Sequence, residues 1–284
     1  MRAFLAFTAA AAFVASAAEG SGLRIVSGGA AITETIYALG AQDCLVAADI
    51  SSVYPEEATK LPRVGYARQL AAEGILSVRP DLLLVNDDAG PPAVLSQIER
   101  AGVRVVRLPN NHTPEAAESR ILQIGEALGK TVEATKLRVD LHADLEVAKA
   151  RAESAATTPA VLFIYARGGG VVNVAGHGTA ADSIIKLAGG VNAIQKYEGY
   201  KPLTAEAAAA AAPDFILVTS RGLESSGGVE ELLKLPGLAL TPAGKAKRVI
   251  AMEDSYLLGF GARLGQAAKE LCDRLHPAHQ ETQR

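Results

Sequence analysis

The middle of the chain constrains the fold most, because a helix-favouring stretch without proline separates two halves of alternating strand-like and helix-like segments. No proline occurs between Pro114 and Pro159, and strong β-formers are few there. Gly125 and Gly129 divide the stretch into a shorter helix and a longer one, which we expect from about residue 130 to 154. At about 1.5 Å per residue, roughly 25 residues form a rod of nearly 40 Å. Such a rod is long enough to join two lobes.

The longer helix has an apolar stripe among many charged residues. Its members recur near helical spacing and are Val132, Leu137, Leu141, Leu145 and Val147. An apolar stripe at this spacing is typical of a helix that packs one side against the protein core. We therefore expect these five side chains to face inward.

Short apolar runs on both sides of the central stretch predict the strands. They are residues 23–26, 45–48, 81–85, 104–108, 161–165, 215–218 and 249–252. Helical segments lie between them, and alternation of mostly apolar strands with helices is typical of parallel sheets covered on both faces.

The two halves also resemble each other in sequence. Residues 70–85 contain a glutamate near a helix start, Glu73, then a Pro-Asp pair and an apolar strand. Residues 203–218 repeat this order, with Glu206 as the glutamate. The sequence therefore predicts an α/β protein of two similar lobes joined by one long helix, with an N-terminal lobe over 18–128, the helix over 129–155 and a C-terminal lobe over 156–284.

The N-terminus has the pattern of a secretory signal peptide over residues 1–17. Arg2 precedes an apolar stretch that ends in Ala15-Ser16-Ala17, an A-x-A cleavage pattern. A membrane anchor would need about 20 apolar residues, and polar residues follow too soon for that. No cysteine suited to lipid attachment lies near the cleavage point, so we expect a free periplasmic protein.

Composition excludes several functional classes. The net charge of −3, with mixed signs, argues against a nucleic-acid-binding surface. The chain has two cysteines, Cys44 and Cys272, which rules out a disulfide scaffold. They lie far apart in sequence, and two separate thiols are favoured over a pair.

No P-loop or G-x-S-x-G motif occurs, and the glycines of 259–265 miss the dinucleotide-binding spacing, so we expect no enzymatic activity.

Tyr66 and Arg68 are the most informative candidate site residues. They follow Pro62 and precede a helix, which predicts a loop at one end of the first sheet, and open α/β sheets bind ligands at such ends. A nearby positive charge favours the phenolate form of a tyrosine, and tyrosine is a known ligand of haem iron. A packed ring beside a surface charge is the alternative interpretation of the same residues.

Two loops of the second half contribute further candidates. His177 lies in a glycine-rich turn immediately before a helix, and Arg221 follows the strand of residues 215–218. If the lobes face each other, both loops would line the cleft together with Tyr66. Helix capping for His177 and plain surface exposure for Arg221 are the alternatives. Of the five histidines, only His177 is expected near the cleft.

Seven segments in the same order resemble the periplasmic haem-binding proteins of bacterial haem ABC importers. They are Gly65-Tyr66-x-Arg68, the segment from Glu73 to Asp81, Asp88-Ala89-Gly90-Pro91-Pro92, Gly178-Thr179-Ala180-Ala181-Asp182, Gly199-Tyr200-Lys201-Pro202-Leu203, Arg221-Gly222-Leu223-Glu224 and Tyr256-Leu257-Leu258-Gly259-Phe260-Gly261. The resemblance covers nearly the whole mature chain. It implies two Rossmann-like lobes bridged by one long helix, the class III periplasmic binding protein fold, with haem b as the transported ligand.

The resemblance also implies roles for individual residues. Tyr66 is similar to the axial tyrosinate of the family, Arg68 to the arginine that holds the phenolate, and Arg221 to the basic residue supplied by the second lobe. Some family members add a histidine from the second lobe, for which His177 is the candidate, and a five-coordinate iron is equally compatible. An apolar cleft, a stiff pair of lobes and small hinge motion are the further expectations.

Glu73 and Glu206 resemble the acidic residues, one per lobe, that dock such receptors onto the permease dimer of the importer. The expected partners are therefore haem and the inner-membrane permease, with no nucleic acid, and the receptor is expected to be a monomer. A cobalamin or ferric-siderophore receptor of the same fold is the main alternative. A secreted α/β enzyme and a zinc or manganese receptor are weaker ones.

Overall fold

The computed structural model describes residues 22–166 and 172–277, and the predicted signal peptide lies outside them. The first half alternates strands and helices as the sequence predicts. Its elements are β1 (Ile25–Gly28), α1 (Ala30–Ala38), β2 (Leu45–Ala48), α2 (Ala72–Ser77), β3 (Leu82–Asn86), α3 (Pro92–Arg100), β4 (Arg104–Leu108) and α4 (Pro114–Ala127). Its four strands form one parallel sheet in the order β2-β1-β3-β4.

The second half follows the long helix α5 (Thr131–Ser154). Its strands and helices are β5 (Ala160–Ala166), β6 (Val172–Ala175), α6 (Ala180–Leu187), β7 (Val191–Asn192), β8 (Tyr200–Pro202), α7 (Ala205–Ala211), β9 (Phe215–Thr219), α8 (Ser220–Ser225), α9 (Val229–Leu233), α10 (Pro242–Lys245), β10 (Val249–Met252), α11 (Asp254–Leu258) and α12 (Leu264–Leu275). Two similar α/β lobes are therefore joined by one long helix, which confirms the predicted fold class.

The sheet of the C-terminal lobe is mixed rather than fully parallel. Its order is β10-β9-β5-β6-β8, and the short β7 pairs with β5. Strands β10, β9 and β5 are parallel, whereas β6 runs antiparallel to both β5 and β8. Neither β6 nor β8 was predicted, because each is too short to show a periodic apolar pattern.

Helix α5 is packed along its length rather than exposed as a free rod. A Cβ on Gly125 of α4 would lie 2.2 Å from the Ala134 side chain, and one on Gly265 of α12 would lie 2.5 Å from the Leu141 carbonyl oxygen. Glycines at these two crossings therefore let α4 and α12 approach α5 closely. With 24 residues, α5 is about 36 Å long.

The inward face of α5 differs in part from the predicted stripe. Leu141 and Leu145 are buried as expected, but Val132 and Val147 are 81% and 51% exposed. Alanines occupy the remaining buried positions, namely Ala134 and Ala148. At about 3.6 residues per turn, Val132 and Val147 lie about 180° and 120° around the helix from Leu141, so the two valines point outward.

One continuous apolar core runs through both lobes. It joins the inner face of the first sheet, helices α4, α5 and α12, and the inner face of the second sheet, and it includes Ile25, Ile124, Leu141, Phe163 and Leu271. Each sheet has a second, separate core on its outer face. Because packed interiors resist deformation, a core shared by the lobes favours the small hinge motion expected from the sequence.

Polar contacts between the lobes reinforce this shared core. Arg263, just before α12, donates its backbone N–H to Glu34 Oε1 at 2.9 Å and its Nη2 to Glu34 Oε2 at 2.8 Å. Its guanidinium also lies over the ring of Tyr54, 3.4 Å from the centroid. The fully buried Arg120 of α4 donates to the carbonyl oxygens of Pro109 and Phe260, and burial lowers the pKa of this guanidinium to about 10. We call the contact of Glu34, Tyr54 and Arg263 the interlobe clamp.

The cysteines are two separate thiols. Cys44 is half-buried in the N-terminal lobe, and Cys272 is buried in α12, where its Sγ lies 3.4 Å from the Ala148 carbonyl oxygen. Burial raises the pKa of the Cys272 thiol. Within residues 22–166 and 172–277, no helix has the length and hydropathy that a membrane crossing requires.

Candidate functional site

The candidate site is a pocket at the carboxyl ends of the four N-terminal strands, where the two lobes meet. Each strand of the first sheet is followed by a residue of this pocket: Gly29 after β1, Asp49 after β2, Asp88 after β3 and Asn110 after β4. The carboxyl edge of an open α/β sheet is where such folds bind ligands. The position of the pocket therefore follows from the parallel strand order.

The loop that carries Tyr66 is fixed by backbone hydrogen bonds to its neighbours. Val64 N–H donates to the Ala48 carbonyl at 3.1 Å, which extends the sheet beyond β2. Gly65 then has φ +88°, a conformation that favours glycine, and it turns the chain toward the pocket. A single 3₁₀ turn, Ala67–Gln69, follows. Tyr66 is held at the rim of the pocket with 38% of its surface exposed.

Arg68 connects Tyr66 to the loop after β3. Its Nη1 donates to Tyr66 Oη at 2.8 Å, while its Nε donates to Asp88 Oδ2 at 2.7 Å. Asn110 Nδ2 donates to the other carboxylate oxygen of Asp88 at 3.2 Å. The hydrogen bond with Asp88 raises the pKa of the Arg68 guanidinium. We call these four side chains the tyrosine network, and the structure brings Tyr66 and Arg68 together as the sequence predicts.

The C-terminal lobe closes the pocket through the end of α11. Leu258 and Gly259 line it directly, and the next residue, Phe260, is buried with φ +50°. The ring of His112 packs against Phe260 with 5.4 Å between ring centroids. Residues from both lobes therefore surround the space in front of Tyr66.

His112 is a pocket residue that the sequence analysis missed. It follows β4 and lines the pocket with Tyr66, and burial, with the nearby Arg120 charge, lowers the pKa of its imidazole. The expectation that His177 alone among the histidines lies near the cleft is therefore wrong. The rule that located Tyr66, proximity to the carboxyl end of a parallel strand, would have found His112.

The structure does not bring His177 to this pocket. The antiparallel strand β6 begins opposite Ala166, at the carboxyl end of β5, and runs back toward the amino end. His177 follows it, exposed, with its backbone N–H bonded to the Tyr197 carbonyl at 3.0 Å. The unpredicted direction of β6 explains the difference.

Arg221 lies at the expected edge of the second sheet but in a different local structure. It follows β9 as the second residue of the short helix α8, where a loop was predicted, and Thr219 caps that helix by accepting from Gly222 N–H at 3.1 Å. Its backbone N–H donates to Asp254 Oδ2 at 3.3 Å. Among the described residues its guanidinium has no hydrogen-bond partner, and the side chain is exposed.

Glu73 and Glu206 occupy equivalent places in the two lobes. Glu73 is in the first turn of α2 and Glu206 in the first turn of α7, and both are exposed. Thr204 caps α7 by accepting from Ala207 N–H at 3.1 Å. Hydrogen bonds from the backbone of Glu206 itself and from Thr204 lower the pKa of the Glu206 carboxyl.

The pocket places the Tyr66 phenol beside the Arg68 guanidinium and further hydrogen-bonding groups. Within the described parts of the chain, no three histidine, cysteine or acidic side chains gather in a way that could hold a bare metal ion. The Arg68 guanidinium beside the Tyr66 phenol suits a ligand that carries anionic groups.

Comparison with known protein families identifies the class of this protein. A family model described as periplasmic binding protein matches residues 25–256, and the chain belongs to this family. Its family and its solved structural neighbours are binding proteins rather than enzymes, in agreement with the expectation from the sequence.

Two solved structures and one curated protein are among the relatives of this chain. The periplasmic heme-binding protein RhuT from Roseiflexus sp. RS-1, in apo form, is 44% identical, with a TM-score of 0.85 over 89% of this chain and 98% of that one. The periplasmic heme-binding protein BhuT, in complex with two hemes, is 41% identical, with a TM-score of 0.84 over 89% and 97%. A curated relative, the vitamin B12-binding protein of Photorhabdus laumondii, is 26% identical over 255 residues, 89% of this chain and 88% of the relative.

Proposed function

We propose that this protein is a periplasmic receptor that binds haem in the interlobe pocket and delivers it to an inner-membrane ABC importer. The observation that carries the proposal is the hydrogen bond of 2.8 Å between Arg68 Nη1 and Tyr66 Oη at the pocket rim. A guanidinium within hydrogen-bond distance stabilises negative charge on a phenol oxygen that binds a metal, and a tyrosinate oxygen is a ligand of ferric haem. The similarity to solved haem-binding proteins supports haem as the ligand.

An exposed apolar side chain beside the Tyr66 loop supports a ligand with an apolar face. Ile50 is 55% exposed, and its backbone N–H donates to the Gly65 carbonyl at 2.9 Å, which places it beside that loop. Ligand pockets combine apolar contacts with a few placed polar groups, and we expect Ile50 to contact one face of the macrocycle.

The decisive experiment is a titration of the mature protein with hemin, comparing wild type, Tyr66→Phe and Tyr37→Phe. Tyr37 is the matched control, because it lies in the last turn of α1 whereas the first turn of that helix lines the pocket. We expect a saturable Soret change with a phenolate-to-iron charge-transfer band in wild type and Tyr37→Phe. In Tyr66→Phe the band disappears, and affinity falls by about 100-fold or more, since even outer partners of metal sites cost 10–100-fold.

The outcomes separate the alternatives. No saturable change in wild type would reject haem, whereas saturable binding that persists in Tyr66→Phe would keep haem and reject Tyr66 as the ligand. His112 would then be the next residue to replace.

A cobalamin receptor is the second candidate, because curated relatives are vitamin B12-binding proteins. The same samples titrated with cyanocobalamin distinguish the two. Saturable cobalamin binding that does not depend on Tyr66, without a charge-transfer band for hemin, would favour that candidate.

We further propose that Glu73 and Glu206 contact the permease. Their equivalent, exposed positions on the two lobes support this role. The double variant Glu73→Ala/Glu206→Ala should bind hemin like wild type but transfer it to the reconstituted importer at least about tenfold more slowly, as expected for two interface charges. The exposed pair Glu126 and Glu153, replaced by alanine, is the matched control, and an equal loss in both doubles would contradict the proposal.

A further inference from the structure

Asp88 makes contacts that single it out among the acidic residues of the pocket. Its Oδ2 accepts from Arg68 Nε at 2.7 Å and lies 2.6 Å from Arg68 Nη2. Its Oδ1 accepts from Asn110 Nδ2 at 3.2 Å. The carboxylate therefore holds one side of the guanidinium, and only Nη1 is directed to Tyr66.

The turn that carries Asp88 is itself fixed. Asp87 N–H donates to the Leu108 carbonyl at 2.8 Å, and Ala89 N–H donates to the Asn86 carbonyl at 3.0 Å. The first bond ties the turn after β3 to the end of β4, and the second closes the turn. The backbone position of Asp88 is thus determined by the sheet and not by Arg68.

Arg68 needs such an anchor, because 55% of its side chain is exposed. A long, exposed arginine has many rotamers, and fixing one of them costs conformational entropy. A guanidinium is planar and rigid. A carboxylate bound on its Nε and Nη2 side therefore determines where Nη1 points. Without Asp88, the contact of Arg68 with Tyr66 would be one of several that the side chain samples.

We propose that Asp88 is a positioning residue of the pocket, which acts on the bound ligand only by holding Arg68 against Tyr66. The inference rests on the proposed function, because it assigns to Tyr66 the bond to haem iron. Asp88 itself needs no contact with the ligand. Asn110 extends the same chain of hydrogen bonds by one residue.

A double-mutant cycle tests this inference. Asp88→Ala, Arg68→Ala and the double variant are titrated with hemin, and both affinity and the position of the charge-transfer band are recorded. We expect Asp88→Ala to lower affinity about fivefold and to move the band in the same direction as Arg68→Ala, because outer partners of metal sites act at this scale or above. In the Arg68→Ala background, Asp88→Ala should change affinity less than about twofold, because a residue that acts only through Arg68 has no effect once the Arg68 side chain is removed.

Two further variants keep the test free of folding artefacts. Asp88→Asn retains a carbonyl oxygen that accepts from Arg68 and should recover part of the lost affinity. Asp87→Asn makes the same charge change one residue away, at an exposed side chain, and should behave as wild type. Equal effects of Asp87→Asn and Asp88→Asn, or effects of Asp88→Ala and Arg68→Ala that multiply, would overturn the proposal.

A measurement on the ligand-free protein separates this inference from the function. In ¹⁵N NMR spectra, the Arg68 Nε–H signal should be protected from exchange in wild type and Asp87→Asn and lost in Asp88→Ala. Protection that survives in Asp88→Ala refutes the positioning role, whatever the ligand. Absence of hemin binding by wild type refutes the haem function instead, and the NMR result then still decides whether Asp88 fixes Arg68.

Discussion

The two lobes hold their candidate arginines differently. In the N-terminal lobe, Arg68 lines the pocket and belongs to the tyrosine network, with contacts between 2.6 and 3.2 Å. In the C-terminal lobe, Arg221 is not among the residues that line the pocket. Among the described residues its guanidinium has no hydrogen-bond partner, and only its backbone is bonded, to Asp254.

The two arginines therefore differ in the conformational entropy that each side chain loses when the ligand binds. A preorganised group loses little conformational entropy when the ligand arrives, whereas a free arginine must give up about 2 kcal/mol of rotamer freedom. The N-terminal side is therefore expected to determine affinity, and Arg221 to adjust it.

The largest effect is expected at the interlobe clamp, which holds the two sides opposite each other. Glu34→Ala removes the closer of the two acidic partners of the poorly exposed Arg263 and leaves the longer contact with Glu253, at 3.4 Å, and loss of one member of a buried ion pair costs about 3 kcal/mol. Urea denaturation should show this loss in the free energy of unfolding. Glu126→Ala, an exposed helix substitution, is the control, and equal midpoints for the two variants would show that the clamp does not stabilise the protein.

A pair of arginine substitutions tests the comparison directly. Arg68→Ala should weaken hemin binding about tenfold, and Arg221→Ala about threefold or less, as is usual for an exposed charge. Isothermal calorimetry or fluorescence quenching gives both values under one set of conditions. A larger loss for Arg221→Ala would reverse the assignment of the two sides.

A pair of histidine substitutions compares the residue in the pocket with the one predicted from the sequence. His112→Ala removes a side chain that lines the pocket and should weaken hemin binding about threefold, the scale of one ordinary contact. His177→Ala should leave binding unchanged. If instead His177→Ala alone weakens binding, the ligand extends to β6 and the pocket around Tyr66 is only part of the site.

The smallest expected effect is on the pH dependence of stability. Burial lowers the pKa of His112 below its usual 6.5 in the folded protein, so the unfolded chain binds the proton more tightly. The contribution of His112 to stability is complete above pH 6.5 and is lost as the pH falls through the lowered pKa. His112→Gln should remove this part of the pH dependence of unfolding. An identical pH profile for wild type and variant would show that the imidazole titrates as in the unfolded chain.

Local sequence patterns predicted most of the fold. Strands β2, β4 and β10 begin and end at the predicted residues, and α5 is within one residue of its predicted start. These elements depend on periodicity, glycine and proline, which act over a few residues. The predicted inward face of α5 was wrong for Val132 and Val147, because at about 3.6 residues per turn these two positions do not share a face with Leu141.

The candidate site was predictable to a smaller extent. Tyr66 and Arg68 are two residues apart, and their contact follows from one turn of chain. Asp88, the partner of Arg68, follows β3 and is 20 residues away, and Asn110, the partner of Asp88, follows β4. These contacts therefore depend on sheet order. The position of His112 in the pocket depends on strand order, and the position of His177 outside the pocket depends on the direction of β6.

The sequence by itself determined the two α/β lobes, the long helix and the tyrosine–arginine pair, because each is encoded by neighbouring residues. Only the tertiary structure decided the direction of β6, the shared core of the lobes, the interlobe clamp and the anchoring of Arg68 by Asp88. Each of these joins residues that are distant in the chain, and their pairing is selected by packing and hydrogen-bond geometry after the local elements have formed.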